Sequence, residues 1–293
     1  MMKRNLKLFT IAVFTSASLI SCKKESNTQQ LVVNITGLED LGANARYEGW
    51  IIVNGTPVST GIFTVNATGQ LSKTSFDVDK TQLANTTTFV LTVEPFPDAN
   101  PAPSDQHLLG GDFSVNNAAL TIGHPAALNT TFSAATGKYV LATPTTITTA
   151  DELSGLWFLS LTGGSPAVGL SLPTLPTGWK YEGWALISGK PVSTGVFISG
   201  TGADATAPFS GTSMAPPFPG EDFINNAPSG LTFPTNLSGG LAVISVEPFP
   251  DNSAAPFLLK PLVGNIPSPA VDHVTYNLAL NTVSFPKGTA VRN

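Results

Sequence analysis

One stretch of twenty residues occurs twice in this chain and constrains its fold more than any other feature. It reads RYEGWIIVNGTPVSTGIFTV at Arg46–Val65 and KYEGWALISGKPVSTGVFIS at Lys180–Ser199, with 11 of 20 positions identical at an offset of 134 residues. In each copy a segment rich in aromatic and β-branched residues leads into a turn pair, and an alternating apolar segment follows. Each stretch therefore predicts a β-hairpin, and the recurrence predicts two structural repeats.

Each predicted hairpin carries the sequence Tyr-Glu-Gly-Trp, which begins at Tyr47 in the first copy and at Tyr181 in the second. Tyrosine and tryptophan are three residues apart and point to opposite faces of a strand, so we expect at least one of them in the core. The glutamate, Glu48 or Glu182, shares a face with the tryptophan, where a charge is unfavourable. We therefore expect it near a sheet edge, paired with a backbone amide or a cation.

A second motif, Val-Glu-Pro-Phe-Pro-Asp, also occurs twice, at Val93–Asp98 and at Val246–Asp251. Its prolines cannot donate to a β-ladder, so each copy predicts a strand that ends in an irregular loop. The offset between the two copies is 153 residues here and 134 for the hairpins. The second repeat therefore contains an inserted loop of 19 residues, which lies within 200–240.

The whole pattern predicts an all-β fold. Short apolar segments alternate with Gly, Pro and Asn, and no segment has a convincing helical periodicity. We expect two tandem Ig-like β-sandwich domains that arose by internal duplication, at 31–145 and 153–293.

The first residues of the chain have the features of an export signal. Residues 1–21 contain a basic start, an apolar run and no acidic residue, and the run is too short for a comfortable membrane span. The signal ends in Leu-Ile-Ser-Cys, which resembles the lipobox of bacterial lipoproteins, and Cys22 is the only cysteine in the chain. We predict lipidation at Cys22, a polar tether at 22–30, and a location on a bacterial membrane, in the periplasm or at the cell surface. The membrane is thus one expected partner, through the lipid anchor.

Charge and composition bear on the remaining function classes. Without residues 1–21 the chain has 11 basic and 19 acidic residues, which argues against a nucleic-acid partner. The three histidines occupy unrelated places in the two repeats, and there is no Gly-x-Ser-x-Gly motif and no short-spaced His/Cys cluster. The sequence therefore predicts a protein that is not an enzyme and has no cofactor and no metal site.

Repeated acidic residues are the main polar feature of the two copies. Glu94 with Asp98, and Glu247 with Asp251, place a carboxylate at a strand end and another four residues later in a loop. Such a pair could hold calcium together with backbone carbonyls. The alternative, which we favour, is that the glutamate accepts a turn amide and the aspartate caps the loop.

The inserted loop offers a candidate contact surface. Within it, Phe218, Glu221, Asp222 and Phe223 combine apolar anchors with charge, as recognition surfaces do, and the neighbouring prolines stiffen the segment. We predict that these four residues bind a partner protein of the envelope. The equally weighted alternative is a lid that covers an exposed sheet edge.

The hairpin motif, followed by a Val-Glu-Pro strand and a Pro-rich loop, resembles the extracytoplasmic C-terminal domain of anti-sigma-K factors. The resemblance covers 31–142 and again 168–293, and it implies a β-sandwich with a sensing or docking role outside the membrane. Members that restrain a sigma factor also carry a cytoplasmic helical domain and a transmembrane helix, and the sequence predicts neither after Cys22. We therefore expect a lipid-anchored binding or sensing module. The alternatives are a structural cell-envelope lipoprotein and an accessory part of an anti-sigma signalling system.

Overall fold

The structure, a computed structural model, describes residues 26–250 and 253–293. The signal peptide, the lipidation site Cys22 and most of the tether lie outside the described residues, so these predictions stay predictions. Within the described ranges the chain is almost entirely β, with one short α-helix, Lys80–Ala84, and one 3-10 turn, Glu152–Ser154. No helix in this part of the chain has the length and apolar character that crossing a bilayer requires. The predicted all-β fold is confirmed.

The described residues form nineteen strands. They are β1 (Thr28–Thr36), β2 (Ala45–Val53), β3 (Thr56–Phe63), β4 (Ser75–Asp79), β5 (Thr86–Pro95), β6 (His107–Ser114), β7 (Asn117–Thr121), β8 (Thr136–Leu141), β9 (Gly155–Trp157), β10 (Leu159–Ser160), β11 (Ala167–Val168), β12 (Leu170–Ser171), β13 (Trp179–Ile187), β14 (Lys190–Phe197), β15 (Gly220–Asp222), β16 (Leu241–Pro248), β17 (Leu262–Asn265), β18 (Tyr276–Leu280) and β19 (Lys287–Arg292).

Two antiparallel sheets contain most of these strands and share one layout. The first sheet has the order β3-β2-β5-β6-β7-β19-β1-β4, and the second has the order β14-β13-β16-β17-β18-β8-β9-β15, with β12 also beside β8. Each position in one order has a counterpart in the other. The two end strands of each sheet approach one another, so that each sheet is a nearly closed barrel. Two separate β units are thus present, while an Ig-like topology and an origin by duplication stay predictions.

The two halves of the chain exchange one strand each. Strand β19 lies in the first sheet, between β7 and β1, with Ala290 opposite Val33. Strand β8 lies in the second sheet, between β18 and β9, with Val140 opposite Trp157. The sheets therefore do not follow the ranges 31–145 and 153–293 strand by strand. Sequence recurrence identifies the repeats, but it carries no information about which sheet the last strand of a repeat joins.

In the second sheet the place of β1 is taken by two short strands, β9 and β12, which both pair with β8. Strand β8 pairs with β9 through Val140 and Trp157, and with β12 through Gly137 and Leu170. Between β9 and β12, residues 158–169 leave the ladder and form the small β10–β11 hairpin. The second sheet is therefore an elaborated version of the first.

Both recurring stretches fold into the predicted hairpins, β2–β3 and β13–β14. Their turn residues, Asn54-Gly55 and Ser188-Gly189, all have positive φ. The tyrosine and the tryptophan of each hairpin are buried, and the two tyrosines belong to the large apolar interior that both sheets share. Each hairpin glutamate has a hydroxyl partner that the sequence did not predict: the serine of the facing strand, Ser59 or Ser193, donates to Glu48 or Glu182.

Candidate functional site: a cleft between the two sheets

The two copies of the Val-Glu-Pro-Phe-Pro-Asp motif meet at the junction of the two sheets. Strand β5 ends at Pro95 and β16 ends at Pro248, and both prolines line one cleft. Two hydrogen bonds cross the junction beside it: Gln106 Nε2 donates to the Phe249 carbonyl at 2.7 Å, and the Leu258 amide donates to Glu39 Oε1 at 3.2 Å.

The cleft has a volume of about 550 Å³, within the range of small-molecule sites. Three segments form its walls: the loop from β1 to β2, the end of β5 with the loop before β6, and the end of β16 with the segment that follows. The lining residues are Glu39, Asp40, Leu41, Gly42, Ala43, Asn44, Ala45, Val93, Glu94, Pro95, Ser104, Gln106, Glu247, Pro248, Pro250, Ser253 and Phe257.

Two buried glutamates, one from each motif copy, hold the Pro-rich loops in place. Glu94 is 2% exposed, and both of its carboxylate oxygens accept the Ser104 amide, at 3.0 and 3.2 Å. Glu247 is 1% exposed and accepts the Phe257 amide in the same way, at 2.9 and 3.1 Å. A carboxylate that accepts backbone amides in this manner is stabilised in its buried position. The predicted pairing of the glutamate with a turn amide is thus confirmed.

The aspartate of the first motif also has the predicted role. Asp98 Oδ1 accepts the Asn100 amide at 2.8 Å and so caps the loop. Its counterpart, Asp251, lies outside the described residues. In the described ranges no group of three or more His, Cys, Asp or Glu side chains is placed to hold a metal ion.

Each hairpin tryptophan donates to a hydroxyl of the neighbouring strand. Trp50 Nε1 donates to Thr92 Oγ1 at 2.9 Å, and the Thr92 hydroxyl donates to Glu94. In the second sheet Trp184 Nε1 donates to Ser245 Oγ at 2.8 Å, and Ser245 lies two residues before the cleft glutamate. In the first sheet the two recurring sequence motifs are therefore parts of one hydrogen-bonded arrangement beside the cleft wall.

Acidic groups dominate the electrostatics of the cleft. Burial raises the pKa of Glu39, and the nearby Lys260 opposes this shift. Two further cations lie over the exposed phenylalanines of the motifs: the Arg46 guanidinium is 4.2 Å from the ring centre of Phe96, and Lys180 Nζ is 3.4 Å from that of Phe249. Neither side chain is among the lining residues, but Arg46 Nη1 also donates to the carbonyls of Gly42 and Ala45 in the cleft wall, at 2.9 and 2.6 Å.

The cleft lies at the far end of β1 from its first residue, Thr28. Its first wall, the loop Glu39–Ala45, follows the last residue of β1, Thr36. A strand of nine residues spans about 30 Å, at a rise of about 3.3 Å per residue. The cleft is therefore one strand length away from the segment that continues toward Cys22.

The structure places the four predicted partner-binding residues in the interior. Glu221 and Asp222 belong to β15, which pairs with β9, so the inserted segment supplies an end strand of the second sheet. Phe218 packs beside Trp157, and Phe223 lies between the rings of two further phenylalanines, at 6.0 and 5.6 Å, of the same segment. In this structure Phe218, Glu221, Asp222 and Phe223 form no exposed surface, and their binding of a partner stays a prediction.

Buried carboxylates fasten this segment to the sheet. Asp222 accepts the Thr145 amide at 2.9 Å and Trp157 Nε1 at 2.7 Å, and Glu221 accepts the Ser210 hydroxyl. Burial raises the pKa of Glu221 to about 7, and it raises the pKa of Asp204, which accepts the Gly220 amide at 3.0 Å, to about 7 as well. The position of β15 at the sheet end agrees with the covering role that the sequence left open.

Sequence reasoning found part of the cleft and missed the rest. The recurrence of the Val-Glu-Pro-Phe-Pro-Asp motif was a usable signal, because a feature that both repeats share marks their equivalent surfaces. The loop Glu39–Ala45 gave no comparable signal, since it reads as an ordinary turn and its acidic residues, Glu39 and Asp40, correspond to Pro173 and Thr174 in the second repeat.

Comparison with protein families supports the resemblance over part of the chain. Residues 13–107, about a third of the sequence, match the family described as anti-sigma-K factor rskA, C-terminal. The matched range includes the first hairpin and the first Val-Glu-Pro-Phe-Pro-Asp motif, and it ends before the second repeat. No curated protein and no solved structure matches the chain. Over this first third, the protein is similar to the C-terminal domain of anti-sigma-K factors.

Proposed function

We propose that this chain is an exported, lipid-anchored binding module of the bacterial cell envelope, that it is not an enzyme, and that its ligand occupies the cleft between the two sheets. The observation that carries this proposal is the cleft itself, to which both halves contribute the same motif and which has the volume of a ligand site. Its two buried glutamates hold backbone amides, which is a structural task and not a catalytic one.

The membrane anchor rests on the lipobox-like sequence that ends at Cys22. Replacing the cysteine with serine should leave an unprocessed precursor without an acyl label in cells fed a fatty-acid probe. Ser21→Ala is the matched control, because it keeps a small residue before the cysteine and should be labelled normally. Acyl labelling of Cys22→Ser would contradict the anchor.

An anchored module would present its ligand site away from the bilayer. The cleft is about 30 Å along β1 from the segment that leads to Cys22, so ligands in the surrounding compartment can reach it. The partial match to an anti-sigma-K factor domain favours one second candidate, an accessory role in an anti-sigma signalling system.

Occupancy of the cleft is tested by blocking it. Ala43 is an exposed residue of the lining, so Ala43→Trp fills the opening without removing a core contact. Cross-linking of the anchored protein in intact envelopes should give a discrete adduct that Ala43→Trp abolishes and that Ala203→Trp, at an exposed position of the inserted segment, retains. An adduct that survives the blocked cleft would refute binding there, and self-association alone would indicate a structural protein.

A further inference from the structure

Each of the three walls of the cleft contributes a carboxylate, and the described lining residues include no lysine, arginine or histidine. Glu39 comes from the loop after β1, Glu94 from β5 and Glu247 from β16. Asp40 adds a fourth acidic side chain at the exposed rim. Two cations donate to carbonyls of the lining, Arg46 to Gly42 and Ala45 and Lys260 to Phe257. The four carboxylates outnumber these two cations, so the potential inside the cleft is negative.

Burial of the carboxylates strengthens their attraction for a cation in the cleft. Glu94 is almost completely buried and is held by neutral donors, the Ser104 amide and the Thr92 hydroxyl. None of the described lysines and arginines forms an ion pair with Glu94. Charges near a protein surface attract one another about four times more strongly than in bulk water, because the effective dielectric constant is lower. A cation that enters the cleft therefore meets more attraction than the same cation at an open surface.

The rest of the lining is suited to an organic cation. Val93, Pro95, Leu41, Pro248 and Phe257 give the walls a largely apolar character, which a bare metal ion cannot use. No set of three or more His, Cys, Asp or Glu ligands for a metal ion occurs in the part of the chain that the structure describes. An ammonium group on an apolar body satisfies both parts of the lining, since the charge faces the carboxylates and the body faces the prolines and Phe257.

We propose that the cleft binds an organic ammonium ion that carries an apolar group, a ligand class that rests on the proposed binding function. The charge lies toward the carboxylates of Glu39, Glu94 and Glu247, and the apolar group lies against the proline and phenylalanine walls. Size limits the ligand to a small molecule or a single long side chain, because the cleft has a volume of about 550 Å³.

Phenethylammonium, with its neutral and anionic analogues 3-phenylpropanol and 3-phenylpropionate, tests the charge preference. Titration of the exported domain, followed by protein NMR or calorimetry, should show binding of the cation, at least about tenfold weaker binding of the neutral analogue and none of the anion. A capped lysine–phenylalanine dipeptide distinguishes the two sources of the ammonium group, a free amine or the side chain of a partner protein. Equal binding of cation and anion would overturn the proposal.

Variants of the lining separate specific binding from surface attraction. Glu39→Gln removes one carboxylate at a half-buried position and should weaken phenethylammonium binding about tenfold, which corresponds to about 1.4 kcal/mol. Ala43→Trp should abolish binding, and Ala203→Trp should leave it unchanged. A melting temperature close to that of the parent protein shows that each variant is folded.

Failure of this inference is distinguishable from failure of the proposed function. If no ammonium probe binds but Ala43→Trp still abolishes the envelope cross-link, the cleft binds a ligand of another class and only the charge preference is wrong. If the probes do not bind and the cross-link survives Ala43→Trp, the binding function of the cleft is wrong as well.

Discussion

The two sheets contain the same hairpin but close differently around it. In the first sheet Gly61 has φ 120°, and a Cβ atom there would lie 3.5 Å from the ring of Phe76 in the closing strand β4. In the second sheet Gly195 has φ 124°, and a Cβ atom would lie 2.6 Å from the carboxyl carbon of Asp204. The positive φ favours glycine at both positions, and at Gly195 the close approach of Asp204 also leaves no room for a side chain. The same hairpin thus accepts an aromatic ring in one sheet and a partly buried acid in the other.

The environment of the hairpin glutamates shows the consequence of this difference. Glu48 is partly exposed, whereas Glu182 at the equivalent position is 5% exposed, although both accept a serine hydroxyl. The segment from β14 to β16, residues 198–240, is about twice as long as its counterpart at 64–85, and it contributes to the burial of the second hairpin. Identical residues fix the local geometry, and the closing segment decides how deeply they are buried.

The largest expected effect concerns the exchanged strand of the first sheet. Ending the chain at Pro286 removes β19 and with it the ladders to β1 and β7, so we expect the cooperative thermal transition to be lost. Hydrogen exchange should show the loss of protection in β1, far away in sequence. Val283→Asp, at an exposed position before β19, is the control and should behave like the parent protein. Undiminished protection of β1 in the truncated chain would contradict the exchange.

The next effect concerns the closing segment of the second sheet. Phe223→Ala removes a fully buried ring from a cluster of three phenylalanines and should lower the free energy of unfolding by about 3–5 kcal/mol. Met214→Ala, in the same segment but at 93% exposure, should change it by less than about 0.5 kcal/mol. Denaturant unfolding measures both values. A stable Phe223→Ala variant that no longer captures its envelope partner would instead support the contact surface predicted from sequence.

The smallest expected effect is a pH dependence of the folding stability that arises in the second sheet. The pKa of Glu221 rises from 4.5 to about 7 on folding because the group is buried. Between these values the unfolded chain loses its proton first, so the stability present below pH 4.5 is lost as the pH rises to about 7. We expect the parent protein to be less stable at pH 8 than at pH 5 by about 1–3 kcal/mol. Glu221→Gln should reduce this slope without abolishing it, because the pKa of Asp204 is also raised to about 7.

A matched control for the pH experiment comes from the first sheet. Asp77 is an exposed carboxylate in β4, the strand that occupies the position of β15, so Asp77→Asn should keep the slope of the parent protein. Unfolding curves at several pH values measure the slopes. An unchanged slope in Glu221→Gln would show that its burial does not control the pH dependence.

Sequence was most informative where the structure depends on local patterns. The turn pair Asn54-Gly55 and the alternation in β3 specify a hairpin without knowledge of anything else in the chain. The roles of Glu94 and Asp98 were also predictable, because a carboxylate beside a turn of prolines finds a backbone amide. Each of these features involves residues that lie within about ten positions of one another.

Features that depend on distant residues were not predictable in the same way. Strand β8 reads as the last strand of the first repeat, and nothing in its six residues indicates that it pairs with β9 and β18. Phe218 and Phe223 read equally well as surface anchors or as core residues, because hydrophobicity alone does not tell which side of a segment faces the sheet. The cleft was therefore only partly predictable. The contacts of its glutamates Glu94 and Glu247 involve residues close in sequence, whereas its shape depends on how the two sheets meet.

The exchanged strand also determines the order in which this protein can become stable. Thr36 pairs with Lys287, 251 residues further along the chain, so the first sheet stays incomplete until the second repeat has been delivered. A chain exported with its N-terminal part first would therefore emerge as an open sheet and would close only when transport reaches β19. Such long-range pairing slows folding and keeps the open edges of β1 and β7 exposed in the meantime. A chain interrupted before β19 would keep these edges open and would not reach the closed sheet.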